Sequence, residues 1–303
     1  MNKKLKTYST KKNYLGLEKQ YSNFLNSKIA ILPIPFEATT SYGKGTSKGP
    51  EAIVNASHYV EFFDEELNRE LSFEKGICTI SELIIKEKKG KTVIEKIYET
   101  VKKLIEKEKY VVLLGGEHTV STGSIKAHFD SFKNLSILQL DAHSDLRYEY
   151  EGTKFSHASF ASRVLEFSNK ITQLGVRAQC IDECKTIKDK KINTFFAYQI
   201  KNGHYGNDWD EKVIETLDEN VYITLDLDYF DPSAVPSVGT PEPGGFYWDE
   251  TLRLFKKLSE KRNVVGFDVV ELSPVDGHPA SDYFAAKLVY KMLNYFIKRN
   301  VDE

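Results

Sequence analysis

The feature that most constrains this sequence is a set of apolar runs that each lead directly into acidic or imidazole side chains. Leu114 leads into Gly115–His118, Leu140 into Asp141–Asp145, Leu225 into Asp226–Asp228, and Val269 into Val270–Glu271. In an open parallel sheet, the chemistry lies in the crevice beyond the carboxyl ends of the strands. If these runs are parallel strands, we expect their polar ends to meet at one edge.

Short β-branched runs alternate along the whole chain with longer amphipathic segments. The predicted strands are Lys28–Leu32, Tyr110–Leu114, Leu135–Leu140, Ile171–Val176, Asn220–Leu225 and Val264–Val269. The predicted helices lie around Pro50–Asn68, Thr92–Glu108, Val120–Asp130, His157–Ser168, Asp249–Glu260 and Ser281–Arg299. This alternation predicts an α/β fold with a mostly parallel sheet covered by helices on both faces. Since no repeat or linker divides residues 1–303, we expect a single three-layer domain, with residues 1–25 as an N-terminal extension.

Two of these segments carry acidic residues at alternate positions. Asp141, His143 and Asp145 are spaced by two, and Asp226 and Asp228 repeat that spacing. Alternate side chains of an extended chain point the same way, so each set can converge on one point. No Lys or Arg is interleaved among them, and buried carboxylates without compensating charge are costly. The spacing therefore predicts bound metal cations.

The candidate ligands differ in kind from those of a simple zinc site. The predicted metal ligands are His118, Asp141, His143, Asp145, Asp226 and Asp228. Four carboxylates and two imidazoles exceed what one tetrahedral zinc ion needs. An oxygen-rich set without thiolates suits harder, higher-coordinate metals, with Mn²⁺ the leading choice. We expect two Mn²⁺ ions per chain, bridged by shared carboxylates.

The charge balance and cysteine content bear on partners and compartment. A net charge of −2 gives no general attraction to nucleic acid or to an anionic membrane. No segment approaches the roughly 20 apolar residues of a membrane-spanning helix, and the Lys-rich N-terminus lacks the apolar core of a secretory signal. Three cysteines do not make a disulfide framework. We therefore expect a cytoplasmic protein that binds neither nucleic acid nor membranes.

Several motifs, taken in order, resemble those of the ureohydrolases, the family of arginases and agmatinases. The matching segments are Gly45–Ile53, Gly115–Thr119, Asp141–Asp145, Asp226–Pro232, Gly239–Gly245 and Asp268–Pro274. The resemblance extends from about Ile29 to Phe296, and it implies an arginase-like fold and hydrolysis of linear amidine C–N bonds.

The resemblance also implies a role for each site residue. One Mn²⁺ would be held by His118, Asp141, Asp145 and Asp226, and the second by His143, Asp141, Asp226 and Asp228. A hydroxide between the metals, oriented by Asp145, would attack the substrate, because bound cations lower the pKa of water. Glu271 would pair with the guanidinium group, and His157 would pass a proton to the leaving amine. Family resemblance further suggests a homotrimer or hexamer.

The substrate prediction depends on the loop after Asp145. Glu149 and Glu151 would repel a carboxylate and favour a cationic amine, whereas Arg147 would favour an acid if it points inward. We therefore predict a small cationic guanidinium substrate, with Glu151 among its contacts. Agmatine, hydrolysed to putrescine and urea in polyamine biosynthesis, is the first choice.

Other functions stay open at this point. One is another amidinohydrolase: a guanidinobutyrase, a formiminoglutamase, an arginase or an aminopropylagmatine ureohydrolase. A single-zinc deacetylase would leave His118 and Asp228 without a metal role. A non-catalytic binding paralogue should lack a bridging ligand or the guanidinium-binding carboxylate, yet Asp141, Asp226 and Glu271 are all present.

Overall fold

The centre of the protein is a parallel sheet whose strands are buried on both faces. The computed structural model describes residues 5–81, 83 and 90–299. Its strands are β1 (Ile29–Ile34), β2 (Ile77–Thr79), β3 (Tyr110–Gly115), β4 (Leu135–Leu140), β5 (Ile171–Leu174), β6 (Asn193–Phe195), β7 (Asn220–Asp226) and β8 (Asn263–Val270). They form one sheet in the order β2-β1-β3-β8-β7-β4-β5-β6, and every pair is parallel. The predicted fold class is confirmed.

Helices cover both faces of this sheet. They are α1 (Lys19–Ser22), α2 (Gly49–Ser57), α3 (Leu71–Lys75), α4 (Gly90–Ile105), α5 (Ser121–Phe129), α6 (Phe160–Val164), α7 (Ile181–Lys190), α8 (Ala197–Lys201), α9 (Trp209–Glu215), α10 (Trp248–Lys261) and α11 (Ala280–Phe296). None of the helices in the described part of the chain is long and apolar enough to span a bilayer.

Strand β1 shows how the sequence produces the layers. Ile29 and Ile31 belong to a core cluster that also contains residues of α2, α10 and α11. The alternate residues, Ala30 and Leu32, belong to a second cluster with residues of α4. Because successive strand residues point to opposite faces, a continuous apolar run such as this one needs a helical layer on each side.

The register of the sheet decides where the polar strand ends lie. Leu114 of β3 pairs with Val269 of β8, and Val269 pairs with Leu225 of β7. Leu225 in turn pairs with Leu140 of β4. The last apolar residues of four adjacent strands are thus aligned, so the segments that follow them begin at the same edge.

Two predicted helices were too long. The helix predicted over Pro50–Asn68 ends at Ser57, and the chain then turns so that Asp64 and Arg69 pair through an antiparallel bridge. Asn68 has a φ of 51°, which no α-helix accommodates. The helix predicted over His157–Ser168 is a short 3₁₀ turn followed by α6, which ends at Val164.

Two short strands, β2 and β6, lie at the edges of the sheet and were not predicted. Each has three residues, too few to produce a recognisable alternating pattern. The proposed N-terminal extension, residues 1–25, is described from Leu5 onward, and it packs against the domain. Tyr14 is fully buried there and donates a hydrogen bond to the Ala286 carbonyl (2.7 Å).

Candidate metal centre

His118 reaches the sheet edge through a tight passage of backbone. β3 ends at Gly115, and His118 begins a short 3₁₀ helix that leads into α5. A Cβ on Gly116 would lie 2.0 Å from the carbonyl oxygen of Phe36, so only glycine fits there. The Gly-Gly pair therefore lets the chain turn closely past the end of β1 and bring His118 to the ends of β4 and β7.

His118 Nδ1 faces three carboxylates at nearly equal distances. It lies 3.2 Å from Asp141 Oδ2, 3.2 Å from Asp226 Oδ2 and 3.4 Å from Asp145 Oδ2. All of these residues are buried, with at most 6% of any residue exposed. Neighbouring ligands of one octahedral cation with bonds of about 2.1 Å are about 3 Å apart. The spacing of these four atoms is therefore close to that of ligands around a shared cation.

A second group lies beside the first. His143 Nδ1 is 2.8 Å from Asp228 Oδ2 and 3.7 Å from Asp141 Oδ1. Asp141 thus offers one oxygen to each group, as a bridging carboxylate would. Asp226 offers Oδ2 to the first group, while its Oδ1 accepts a hydrogen bond from the Asp228 backbone N–H (2.9 Å).

Hydrogen bonds behind His118 fix which ring nitrogen carries the proton. Thr224 Oγ1 donates to Asp268 Oδ1 (2.7 Å), so the same oxygen must accept from His118 Nε2 (2.8 Å). Tyr222 also donates to Asp268, at Oδ2 (2.8 Å). In the neutral imidazole that binds a metal ion, His118 Nδ1 is consequently the unprotonated nitrogen, and it faces the carboxylates. It is a buried atom without a hydrogen-bond partner among the described residues.

The electrostatics of the cluster show a shortage of positive charge. Burial would lower the pKa of His118, but Asp141, Asp145 and Asp226 raise it well above its usual value. Burial, together with the Asp141 charge, raises the pKa of Asp145 to about 7. Each shift reflects carboxylates that would draw protons in the absence of other cations. An orphaned imidazole lone pair among buried carboxylates fits divalent metal ions, and oxygen-rich donors suit Mn²⁺ or a similar hard ion.

Glu271 directly follows β8 and lies against the cluster. Its Oε1 accepts a hydrogen bond from the His118 backbone N–H (2.6 Å), and the residue is 8% exposed. Burial and the nearby Glu117 charge raise its pKa well above the usual value. Glu271 and Asp145 both have positive φ angles, 65° and 51°. Such backbone conformations cost energy in residues other than glycine and concentrate at functional sites.

His157 approaches the cluster from the opposite loop. Its Nδ1 lies 3.2 Å from Thr39 Oγ1, and its Nε2 lies 2.9 Å from Ser41 Oγ. Glu117, fully buried, accepts hydrogen bonds from the backbone N–H groups of Ala38 (2.6 Å) and Thr39 (2.7 Å). Burial, followed by the neighbouring His143 and His118, lowers the pKa of His157 to about 4. Glu117 thereby anchors the loop that positions His157.

One cavity joins most of the predicted site residues. His143, Asp145, Asp226, Asp228, His157 and Glu271 all line it. Glu151 is not among the residues that line this cavity. It is exposed and lies in a turn closed by the Tyr150–Thr153 bridge. Its neighbour Tyr150 lines an adjoining outer cavity, together with Arg147 and Glu242.

The residues that form hydrogen bonds behind the site side chains were not predicted from the sequence. Thr39 contacts His157, and Thr224 bridges His118 and Asp268; residues so far apart in the chain are brought into contact only by the fold. Asp268 and Glu117 belong to matched motifs, so a signal existed for them, but spacing does not reveal a hydrogen-bond partner. Glu242 was likewise part of the Gly239–Gly245 motif without an assigned function.

Comparisons with known proteins agree with this geometry. The model of the arginase family matches residues 27–294. An N(1)-aminopropylagmatine ureohydrolase from Synechocystis sp. is 36% identical over 91% of this chain and 91% of that protein. An agmatinase from Bacillus cereus is 32% identical over 92% of this chain and 96% of that protein. The crystal structure of an agmatine ureohydrolase from Thermoplasma volcanium superposes with a TM-score of 0.82 at 28% identity, covering 97% of this chain and 95% of the other.

Proposed function

The chain belongs to the arginase family and is a hydrolase of linear amidine C–N bonds, and from this premise we propose that it cleaves agmatine to putrescine and urea. The main support for the proposal is the cavity at the metal cluster. Glu271, the candidate guanidinium partner, and His157, the candidate proton carrier, line it together with four candidate metal ligands. A planar cation bound there would lie between a carboxylate and the metal cluster.

The six candidate ligands would hold two Mn²⁺ ions, which when bound lower the pKa of a water so that it is nucleophilic near neutral pH. Asp145 would orient that water. Glu271 uses Oε1 to accept the His118 backbone N–H, which leaves Oε2 for the guanidinium group. A carboxylate oxygen and a guanidinium form a strong charge-assisted hydrogen bond, so Glu271 would fix the substrate carbon in place.

The hydrogen bonds of His157 indicate which of its atoms moves the proton. Thr39 Oγ1 donates to Glu117 Oε1 (2.9 Å), so it accepts from His157 Nδ1–H. His157 Nε2 is then the unprotonated nitrogen, which accepts a hydrogen bond from the Ser41 hydroxyl. Because its lowered pKa keeps His157 neutral, Nε2 can take a proton released from the attacking water. It can then give that proton to the leaving amine as the C–N bond breaks.

A substrate panel tests this proposal. The purified protein, loaded with Mn²⁺, is assayed with agmatine, arginine, 4-guanidinobutyrate and formiminoglutamate, with chelator-treated protein as the control. We expect the highest kcat/KM for agmatine and no turnover after chelation. If no guanidine or amidine is hydrolysed, or if metal analysis returns one zinc per chain, the proposal is wrong.

A second candidate substrate is N1-aminopropylagmatine, the substrate named for the Synechocystis relative. It carries the same guanidinium group and the same four-carbon spacer, extended by an aminopropyl arm. Adding it to the panel separates the two candidates, because a site built for the longer molecule should give it the higher kcat/KM.

We also keep two predictions from the sequence as part of the proposal. The enzyme would act in the cytoplasm, and it would assemble as a homotrimer or hexamer. Light scattering coupled to size-exclusion chromatography measures the second directly.

A further inference from the structure

The cavity at the metal cluster opens into a second, outer cavity. The outer cavity has a volume of about 280 Å³, near the lower end of small-molecule pockets, roughly 300 Å³. Ser41, His143, Asp145, His157 and Thr240 line both cavities. A molecule whose guanidinium lies at the cluster would therefore extend its remaining chain into the outer cavity.

Most charged groups of the outer cavity are already engaged. Glu183 Oε1 accepts the Leu146 N–H (2.9 Å) and its Oε2 accepts the Cys180 N–H (2.7 Å). Arg147 lies 4.0 Å from Glu183, and its guanidinium stacks over the Tyr150 ring at 5.4 Å. Arg147 is thus directed towards Glu183 and Tyr150, while its guanidinium, 41% exposed, donates no hydrogen bond to another described residue.

Glu242 differs from Glu183 in this respect. Its carboxylate accepts no hydrogen bond from any residue in the described ranges, and its closest ion-pair contact is His143 Nε2, at 3.9 Å. The side chain is 38% exposed, so it can meet a ligand without first losing another partner. A carboxylate at the wall of a cavity, with its hydrogen-bonding capacity unused, favours a cation there.

The backbone around Glu242 is held firmly. Arg177 donates to the carbonyl of Glu242 (2.7 Å) and also to that of Asp228 (2.6 Å), which ties this loop to a metal-ligand segment. Asp231 Oδ2 accepts the N–H groups of Gly244 (2.9 Å) and Gly245 (3.1 Å). Glu242 is therefore fixed relative to the cluster, and binding a ligand there would not require ordering of the loop.

From these contacts we infer that Glu242 recognises the ammonium group of the substrate tail and selects guanidines with a cationic tail over neutral or anionic ones. The inference rests on the proposed function, since it assumes a guanidinium at the cluster. It assigns the substrate-tail contact to Glu242 and not to Glu151, whose carboxylate lies in an exposed turn. Agmatine and N1-aminopropylagmatine both carry a protonated nitrogen four carbons from the guanidinium, so both would use this contact.

The test compares substrates that differ only in their tails. Glu242→Gln, Glu242→Asp, Glu151→Gln and wild type are assayed with agmatine, N1-aminopropylagmatine and butylguanidine, whose tail is neutral. Butylguanidine serves as a competitive inhibitor if it is not hydrolysed. Glu260→Gln, an exposed position near the end of α10, is the matched control for the loss of one charge.

We expect Glu242→Gln to raise KM for agmatine about 10- to 100-fold, the value of one charge-assisted hydrogen bond. The effect on butylguanidine should stay within about threefold, since no charge meets Glu242 there. Both kcat and Mn²⁺ affinity should be retained, and Glu242→Asp should recover part of the loss.

Four results would overturn the inference. Equal losses with agmatine and butylguanidine, or weakened Mn²⁺ binding, would mean that Glu242 acts on the metal site through His143. An unchanged KM for agmatine would mean that Glu242 has no part in binding, and selective loss in Glu151→Gln would assign the contact to that residue. In each case an active wild-type enzyme preserves the proposed function, whereas a wild type inactive on all guanidines refutes that function instead.

Discussion

Two groups of carboxylates in this protein are neutralised in different ways. Asp64, 2% exposed, accepts hydrogen bonds from Lys291 Nζ at both oxygens (2.9 and 3.0 Å). Lys291 also lies 2.9 Å from Glu66, which pairs with Lys256 at 3.0 Å. In the metal cluster, by contrast, no Lys or Arg of the described residues forms an ion pair with the four aspartates. Arg177, which lies nearby, donates to the Asp228 backbone carbonyl.

This difference distinguishes carboxylates that stabilise the fold from carboxylates that can bind metal ions. The first group, Asp64 and Glu66, has its own cation in Lys291, so its charges are balanced as soon as the chain folds. The metal cluster has histidines as its ion-pair partners among the described residues, and the hydrogen bond to Thr224 holds a proton on His118 Nε2, so that Nδ1 is the nitrogen left for a metal ion. Its compensating charge must therefore come from bound ions, and those ions are available for chemistry.

The largest expected effect comes from removing a carboxylate of the metal cluster. Asp226→Asn deletes a charge 3.2 Å from His118, and we expect kcat to fall more than about 100-fold with loss of one metal equivalent. Urea release and metal content per chain measure both. Full activity in this variant would show that Asp226 is not a bridging ligand.

The matching change in the first group should affect folding and leave metal binding intact. Lys291→Met leaves Asp64 buried without its cation, and we expect a loss of about 3–5 kcal/mol in the free energy of unfolding. Urea denaturation measures it, with and without Mn²⁺, and the loss should be the same in both.

Lys256→Met is the control for this prediction, because that side chain is 51% exposed and, among the described residues, pairs with Glu66 alone. An exposed ion pair of this kind is worth less than about 1 kcal/mol. Equal losses in the two lysine variants would show that burial does not distinguish them.

A smaller effect is expected from the hydrogen bond behind His118. Thr224→Val removes the acceptor of His118 Nε2–H while preserving side-chain shape, so the imidazole loses its fixed orientation. Mn²⁺ affinity should weaken about 10- to 100-fold, measured by calorimetry. Thr100→Val is the control, because the Thr100 hydroxyl donates to the Lys96 carbonyl of its own helix and lies outside the site. Unchanged affinity would mean that packing alone orients His118.

The smallest effect concerns the pH dependence of the first group. Burial would raise the pKa of Glu66, but hydrogen bonds from Tyr295, Lys291 and Lys256 lower it from 4.5 to about 2. A depressed carboxyl pKa stabilises the folded state above about pH 4.5, and this contribution declines as the pH falls towards 2. The stability difference between wild type and Glu66→Gln should therefore shrink over that range in chemical denaturation. A difference independent of pH would contradict the assignment.

The fold could be predicted where the apolar residues of a segment repeat with one period, that of a strand or that of a helix. Strands β3, β4, β7 and β8 were found to within a residue or so at each end, because each is a mainly apolar run bounded by polar, charged or turn residues. The helix predicted over Pro50–Asn68 ends at Ser57, and from Asp64 onward the Asp64–Arg69 bridge, with Lys291 bonded to Asp64, takes the place of the predicted helix. Propensity is a weak guide once such contacts compete with it.

The site, like the fold, could be predicted only in part. The six candidate ligands follow strand ends at spacings that make convergence possible, and the sheet register brings those ends together. The contacts of Glu151 were not predictable, since one turn at Tyr150–Thr153 decides whether that carboxylate points to the cavity or to solvent. The same holds for Thr39 and Ser41, which meet His157 from a position more than 100 residues earlier in the chain.

The sequence by itself determined the fold class, the family and the concentration of carboxylates without cations at the strand ends. The fold class and the placement of the carboxylates follow from local periodicity and spacing, and the family follows from the resemblance of several motifs in order; a linear chain records each of these directly. Only the tertiary structure decided the tautomer of His118, the free nitrogen of His157 and the availability of Glu242. Each depends on hydrogen bonds between residues distant in sequence, and a hydrogen bond requires positions fixed to within tenths of an ångström, which only the packed fold provides.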